Sequence, residues 1–432
     1  MRQRTLLFIP LLTGTACTPG AIAPTAPVPT GPQKEAAAEA ARPSPRGRIA
    51  SGEGHTCVIV REGAVACWGR DSIGQRREDA APRLVPELRG ATSLFAADGA
   101  TCAQGAGGVV CRGDTMFGEL GRPARPEYVK IPEPWMPSGQ VGVARGAMGM
   151  QGACALDATG HVHCWGEIAG VRDGDIGSRF GPVPEPERTK NDVTGRAMTA
   201  PRRVAALDGA VQLALGIDHT CGLMPDRTVR CLGGNAVGQL GRPATPLDRY
   251  HPAGPVQGLS GVVDIGAGLA FTCALTTRGE IWCWGANLEG QLGTRAEEKL
   301  APVIRYVTIP GDPHDRFAAW PVRVDGLPAK AKALGVGAMH ACAILEDGRA
   351  ACWGANAAGQ LGDGTTDRRG TAVLVRGITN AVEVAASAYG PKGNTCFLLA
   401  DGRVRCVGRN GGGECGVAPS PRVDAPVEVL LP

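Results

Sequence analysis

GAGLAFTCALTTRGEIWCWGANLEGQLG, residues 266–293, decides the fold, because the chain writes it repeatedly. Residues 335–362 read GVGAMHACAILEDGRAACWGANAAGQLG, and 216–241 read GIDHTCGLMPDRTVRCLGGNAVGQLG. The stretch from Gly52 reads GEGHTCVIVREGAVACWGRDSIGQ. The cysteines keep the count: Cys57 and Cys67, Cys102 and Cys111, Cys154 and Cys164, Cys221 and Cys231, Cys273 and Cys283, Cys342 and Cys352, Cys396 and Cys406. Six pairs are ten residues apart and one is nine apart, leaving only Cys17 and Cys415 outside the series. A fixed internal period settles the architecture of a long chain before any single element does.

Each pair reads as a hairpin. Small and apolar residues surround the first Cys, a turn such as Asp347-Gly348 or Asp401-Gly402 follows, and an alternating strand runs to the second Cys. Further strands with β-branched residues lie upstream of several repeats, at 255–263, 321–327 and 373–378. A unit of about four short strands is too small to bury its own faces, and radial stacking of such sheets is a propeller. A linear β-solenoid is the rival. The chain ends argue against it: the first hairpin has no Pro-Val strand before it, and 425–431, Ala-Pro-Val-Glu-Val-Leu-Leu, reads as that missing strand. The expectation is therefore an all-β, seven-bladed β-propeller whose ring closes by pairing the C-terminal strand into the first blade, leaving no open edge.

The combination G-x-x-H-T-C-A-L, a D-G turn, C-W-G-x-N and G-Q-L-G resembles the regulator of chromosome condensation repeat family. The resemblance runs over 48–432 and recurs seven times; it is weakest in the second unit (96–121) and in the third, which lacks G-Q-L-G after Trp165-Gly166. It implies a seven-bladed propeller, and a functional range from nuclear and cytosolic regulators, including a guanine-nucleotide exchange factor for a small GTPase, to a secreted β-lactamase-inhibitory protein.

Charge narrows the partner. The 45 basic and 41 acidic residues are mixed along the chain, leaving a formal charge of +4. A phosphate-tracking groove needs clustered Lys and Arg, so no nucleic-acid partner is expected. At the N-terminus, Arg2 and Arg4 precede an apolar run at 6–12, too short to span a bilayer as a helix, and then small residues up to Cys17. Residues 1–17 read as an export signal. Gly14-Thr15-Ala16-Cys17 resembles a bacterial lipobox, with Gly14 where that pattern usually has Leu, and the expectation is lipidation at Cys17. Residues 18–47, rich in Pro and Ala, read as a semi-rigid tether. The chain is thus expected to work as an outer-membrane or cell-envelope lipoprotein, or otherwise as a periplasmic or secreted protein. The lipid would be its only membrane contact, and the expected state is a monomer.

Cysteines facing each other across an antiparallel hairpin lie within disulfide reach, and an exported chain meets oxidising conditions. Seven hairpin disulfides are expected, each worth roughly 2.5–3 kcal/mol for a loop of about ten residues. Cys415 aligns with Leu240, Leu292 and Leu361, and is expected to fill a buried apolar slot as a free thiol.

Catalytic signals are weak. His55, His219 and His340 recur at one repeat position that also admits Phe271 and Asn394, which points to packing and turn bonding. His161 and His163 share a strand face, but no third ligand stands out in the sequence; no metal and no cofactor are expected. Residues 363–367, Asp-Gly-Thr-Thr-Asp, lack the spacing of a calcium loop. Arg112-Gly113-Asp114 occupies the place of W-G-x-N and reads as a degenerate repeat. Trp68, Trp165, Trp284 and Trp353 follow a Cys each time and read as core. Phosphate-loop, G-x-S-x-G and H-E-x-x-H signatures are absent from the sequence, so no enzyme activity is expected.

Recognition is expected in the junctions instead. The junctions 167–200 and 294–320 are the longest, with 242–254 between them in blade order, and long loops on a rigid scaffold are where binding concentrates. Arg179, Phe180, Tyr306, His314, Phe317 and Trp320 are the candidate contacts, since Arg and aromatics dominate interface hot spots. The leading reading is an extracytoplasmic protein-binding propeller acting as scaffold, receptor or inhibitor. Exchange-factor-like regulation of a small GTPase and glycan binding or processing are the alternatives. Non-reducing peptide mapping of the protein from its native compartment should recover the seven linked pairs, with Cys415 alkylated only after unfolding; reduced pairs in that sample would remove the case for export.

Overall fold

The structure is a computed structural model that describes residues 47–70, 80–97, 99–105, 108–113, 131–135, 145–150, 152–157, 159–166, 198–244, 251–295, 301–302, 316–387 and 390–432. The export signal, Cys17 and nearly all of the tether lie outside the described residues.

Seven antiparallel sheets follow one another along the chain. The first is built from Ile49–Ser51, His55–Ile59, Val65–Gly69 and Arg83–Leu84, in that order from inner to outer strand. The last is built from Ala381–Ala386, Asn394–Leu399, Val404–Asn410 and Ser420–Val429. Between them lie sheets over 91–135, 145–203, 212–255, 262–323 and 331–374. Among the described residues all have four strands except the fifth, where Ala301–Pro302 adds a short strand outside Arg316–Arg323. The seven inner strands neighbour one another in a closed circuit, the first lying against Ala381–Ala386 of the last blade. The fold is a seven-bladed β-propeller.

Ring closure differs from the expectation. The C-terminal strand Ser420–Val429 pairs with Val404–Asn410 of its own blade, not with the first sheet. The first hairpin has its own inner strand, Ile49–Ser51, and its own outer strand, Arg83–Leu84. The physical reason lies in the phase of the repeat. A Pro-Val segment follows each hairpin as that blade's outer strand, as Arg316–Arg323 pairs with Ile281–Ala286 and Arg369–Leu374 with Ala350–Gly354. It then turns at a left-handed glycine, Gly326 or Gly377, into the next inner strand. No blade is split between the termini.

The ring is therefore held by side chains. Strand alternation sends neighbouring residues to opposite faces of a blade, so the Cys of each C-W pair faces one neighbour and the Trp the other. Apolar residues collect in seven wedges, one per seam. Cys57, Cys67, Val85 and Leu88 of the first blade meet Leu94 and Ala103 of the second. Trp68, Val58 and Ile49 meet Leu398, Val404 and Cys415 of the seventh. The cysteines of each hairpin pair directly in register and are joined as disulfides with Cα atoms 4.0–4.1 Å apart. Cys415 is a buried free cysteine in the same wedge as Trp68.

The G-Q-L-G segment makes the polar part of the seam. In N-x-x-G-Q-L-G the Asn carboxamide oxygen accepts the backbone N–H five residues on, at 3.1 Å for Asn235, 2.9 Å for Asn287, 3.0 Å for Asn356 and 3.0 Å for Asn410. That folds the loop so that the backbone carbonyl of the Gln position points at the next blade. There it accepts an indole N–H: Trp284 to Gln239 at 2.9 Å, Trp353 to Gln291 at 3.0 Å, and Trp68 to Glu414 at 3.1 Å. The last of these spans the seam between the seventh and first blades. The final glycine is required on two counts: at Gly416 φ is +70°, and an added Cβ would come within 2.6 Å of Val429 and 3.3 Å of the Trp68 ring.

Trp68→Phe keeps most of the apolar fill but leaves the Glu414 carbonyl without its indole donor, which should cost about 1–3 kcal/mol. Trp282→Phe, at a site whose indole N–H has no partner among the described residues, should cost less. Urea denaturation of the two variants checks the ordering, and equal losses would remove the special role of the closing bond.

Candidate functional site

The recurrent histidines are structural. His55 Nε2 lies 2.6 Å from Thr101 Oγ1 of the next blade; His219 and His340 repeat the contact with Thr272 at 2.8 Å and Thr395 at 2.9 Å. All three are buried, and burial pulls the imidazoles of His55 and His340 down to about 4. At His55 and His340 a ring held neutral across a seam is a spacer and hydrogen-bond partner, and all three buried rings have no substrate-facing surface. Asp363 is likewise consumed by its surroundings: Oδ1 accepts from Thr365 N and Thr365 Oγ1, and Oδ2 from Arg369 Nε at 2.7 Å.

The ring axis holds a cavity of about 250 Å³ lined by the inner strands of all seven blades. Its wall is mostly Gly, Ala, Leu and Val, with Ser51, Gln212 and Glu383 as the polar exceptions. Gln212 donates to Asp264 Oδ1 at 2.9 Å, and Glu383 Oε2 accepts from Arg48 N at 3.0 Å. These groups tie blades together.

Of the expected contacts, Arg179, Phe180, Tyr306 and His314 lie outside the described residues, as does most of the junction 167–200. Its end, from Met198, is already the outer strand Met198–Arg203. The junction 294–320 also contains strand: Ala301 pairs with Phe317 and Pro302 with Arg316. Phe317 is turned inward, packed with Val237 of the fourth blade and Ala286. Trp320, three residues on, is 45% exposed, which sets it apart from the buried tryptophans of the repeat. Gly238 of the fourth blade's loop approaches so closely that a Cβ there would fall 2.4 Å from Ala319 Cα. Phe317 and this close approach fix the strand, and Trp320 is presented from it.

A third-blade cluster was only half visible in the sequence. Asp157 opens the hairpin turn that His161 closes, with Asp157 N donating to His161 O at 2.9 Å. Its Oδ2 lies 3.0 Å from His163 Nε2 and 3.4 Å from His161 Nδ1. Hydrogen bonds from Thr159 and from the His161 backbone and His163 ring hold the Asp157 carboxyl well below the usual carboxylate range, against the opposing pull of burial. The sequence showed the two imidazoles; the turn brings the carboxylate.

Family models described as "Regulator of chromosome condensation (RCC1) repeat" match residues 48–75, 262–291 and 331–360, and a second one matches 278–344. "Protein pim1" of Schizosaccharomyces pombe is 28% identical over 210 residues, covering 45% of this chain and 36% of that protein. The "E3 ubiquitin-protein ligase HERC2" of Homo sapiens is 30% identical over 234 residues, covering 52% of this chain and 4% of the ligase. The chain thus spans well under half the length of either relative. Among solved structures, Prp20p from Saccharomyces cerevisiae, a protein with binding properties to Gsp1p and histones, superposes with a TM-score of 0.66 at 20% identity over 86% of this chain and 87% of that one. At that identity the likeness is one of fold.

His55 and His340 give the fold an acid limit. Their folded pKa lies below the unfolded value of 6.5, so they stabilise fully above about pH 6.5, and the contribution is lost as pH falls toward 4. A shift of that size corresponds to roughly 3 kcal/mol per imidazole. Denaturation midpoints measured from about pH 7 down to about pH 4 should fall, and His55→Asn with His340→Asn should flatten the slope. An unchanged slope would place the acid sensitivity elsewhere.

Proposed function

The chain carries regulator of chromosome condensation repeats on a seven-bladed β-propeller, and from that premise we propose that it is a non-catalytic protein-binding propeller working outside the cytoplasm. The observation that carries the reading is the fifth blade. Among the described residues it departs from the other six by an added strand at Ala301–Pro302, and its outer strand presents the half-exposed Trp320. An exposed Trp on a strand pinned by Phe317 and the Gly238 loop is a rigid aromatic anchor, the side-chain type most enriched at binding hot spots. The third and outer strands of blades three, four and five end in equivalent pairs, Gly166–Met198, Gly233–His251 and Gly285–Ala318, and Trp320 lies toward that end of the fifth blade.

Export is supported by chemistry. Seven hairpin disulfides persist in oxidising compartments and are rare in reducing ones. Those compartments hold no intracellular small GTPase, which favours scaffold, receptor or inhibitor roles over nucleotide exchange. The mixed surface charge gives no reason to invoke nucleic acid.

A photo-crosslinking amino acid at position 320 should capture a discrete protein from the cell envelope or culture supernatant. The same probe at Leu374, exposed on the outer strand of the sixth blade, serves as control. Adducts confined to position 320, and lost when 303–315 is shortened, are expected. Identical adducts at both positions would refute the placement of the face.

A further inference from the structure

The hairpin of the third blade departs from its repeat at three positions at once, and all three departures are metal-ligand residue types. Asp157 stands where the other hairpins with the same turn bond have Val60, Met224, Thr276, Leu345 and Leu399. His161 stands where they have Ala64, Thr228, Glu280, Arg349 and Arg403. His163, two further along, corresponds to Ala66, Arg230, Trp282, Ala351 and Arg405. The turn forms without these side chains in five blades, so the fold does not demand them here.

We propose that Asp157, His161 and His163 form a binding site for a divalent transition-metal ion of the Zn²⁺ class. The three offer ligand atoms that all lie within 4.8 Å of one another, and they are the one such group among the described residues. The distances of 3.0 and 3.4 Å from Asp157 Oδ2 to the two ring nitrogens match the edge of a tetrahedron with metal–ligand bonds of about 2.0–2.1 Å, which is about 3.3 Å. The carboxylate is aimed by its second oxygen: Oδ1 accepts from Thr159 N at 2.9 Å, Thr159 Oγ1 at 2.6 Å and His161 N at 2.9 Å, leaving Oδ2 to face the rings. His161 Nδ1 also lies 2.9 Å from Thr159 Oγ1, a contact it gives up to the metal.

Two imidazoles and one carboxylate are the donor set that suits zinc, copper and nickel, and the set excludes a hard-ion cage of oxygens. The side chains are 22–39% exposed, so an ion enters without opening the core. Three ligands from one hairpin leave a tetrahedral position for water or for a donor from another molecule. The turn lies at the opposite end of its strands from the Gly166–Met198 pair, the end equivalent to the Gly285–Ala318 pair near Trp320, so the site is separate from the proposed protein-binding face.

Calorimetric titration of the full, disulfide-intact chain with Zn²⁺ should show one equivalent bound in the micromolar range. Binding should be lost in the His161→Ala/His163→Ala variant and weakened roughly tenfold or more in Asp157→Asn. Cu²⁺ bound to the unaltered protein should give an electron paramagnetic resonance spectrum with couplings to two imidazole nitrogens, a readout that does not depend on any variant folding. Absence of stoichiometric Zn²⁺ binding, equal binding by a folded double variant, or a Cu²⁺ spectrum without two nitrogens would overturn the proposal.

Discussion

The polar seams of the ring are built on a loop carbonyl of one blade that, across the seams of Trp68, Trp284 and Trp353, accepts an indole N–H from the next. Everything local to the repeat serves this contact. The Asn side chain folds the loop, the buried Leu or Cys anchors it, and the terminal glycine lets the indole lie against the backbone. Where the repeat has no Trp at this place, as at Val407, the Gln360 carbonyl still accepts from Thr395 Oγ1 at 2.8 Å, a contact that Thr272 also makes to the Gln239 carbonyl at 3.3 Å beside Trp284. The carbonyl is what the seam conserves among its blades, and the donor is exchangeable.

The wedge-shaped cores between blades explain why disulfides and tryptophans alternate. A single blade buries nothing by itself; each sheet face becomes core only against its neighbour. The disulfides brace each hairpin from within and also present sulfur to the next blade's apolar face. Buried imidazoles add polar ties across the same seams. The result is a ring of packed seams around an axial cavity, on which departures such as Trp320 and the Asp157 cluster stand out as surplus to the fold.

The blade count, the hairpins and the partners of all fourteen paired cysteines were legible in the sequence, because a ten-residue spacing around a turn permits little else. The phase of the repeat was not. A Pro-Val strand lying between two hairpins pairs with one of them, and adjacency in sequence does not say which; the two-residue strand Arg83–Leu84 left too short a signal to decide it. Phe317 reads as a surface contact in the sequence because a junction and a strand of the same composition look alike until pairing with Ala301 fixes which side faces inward. Asp157 was overlooked for a different reason: six residues separate it from His163, and only the turn geometry brings their side chains together.

Contiguous blades have a topological consequence. Each of the seven sheets is one uninterrupted stretch of chain, so the seam between the last blade and the first is chemically the same kind of joint as the other six. Joining Val429 to Ile49 through a short connector and opening the chain between any other two blades would leave every strand pair and every disulfide intact. Circular permutation, and gain or loss of a whole blade by duplication, are therefore moves this architecture permits without breaking a sheet.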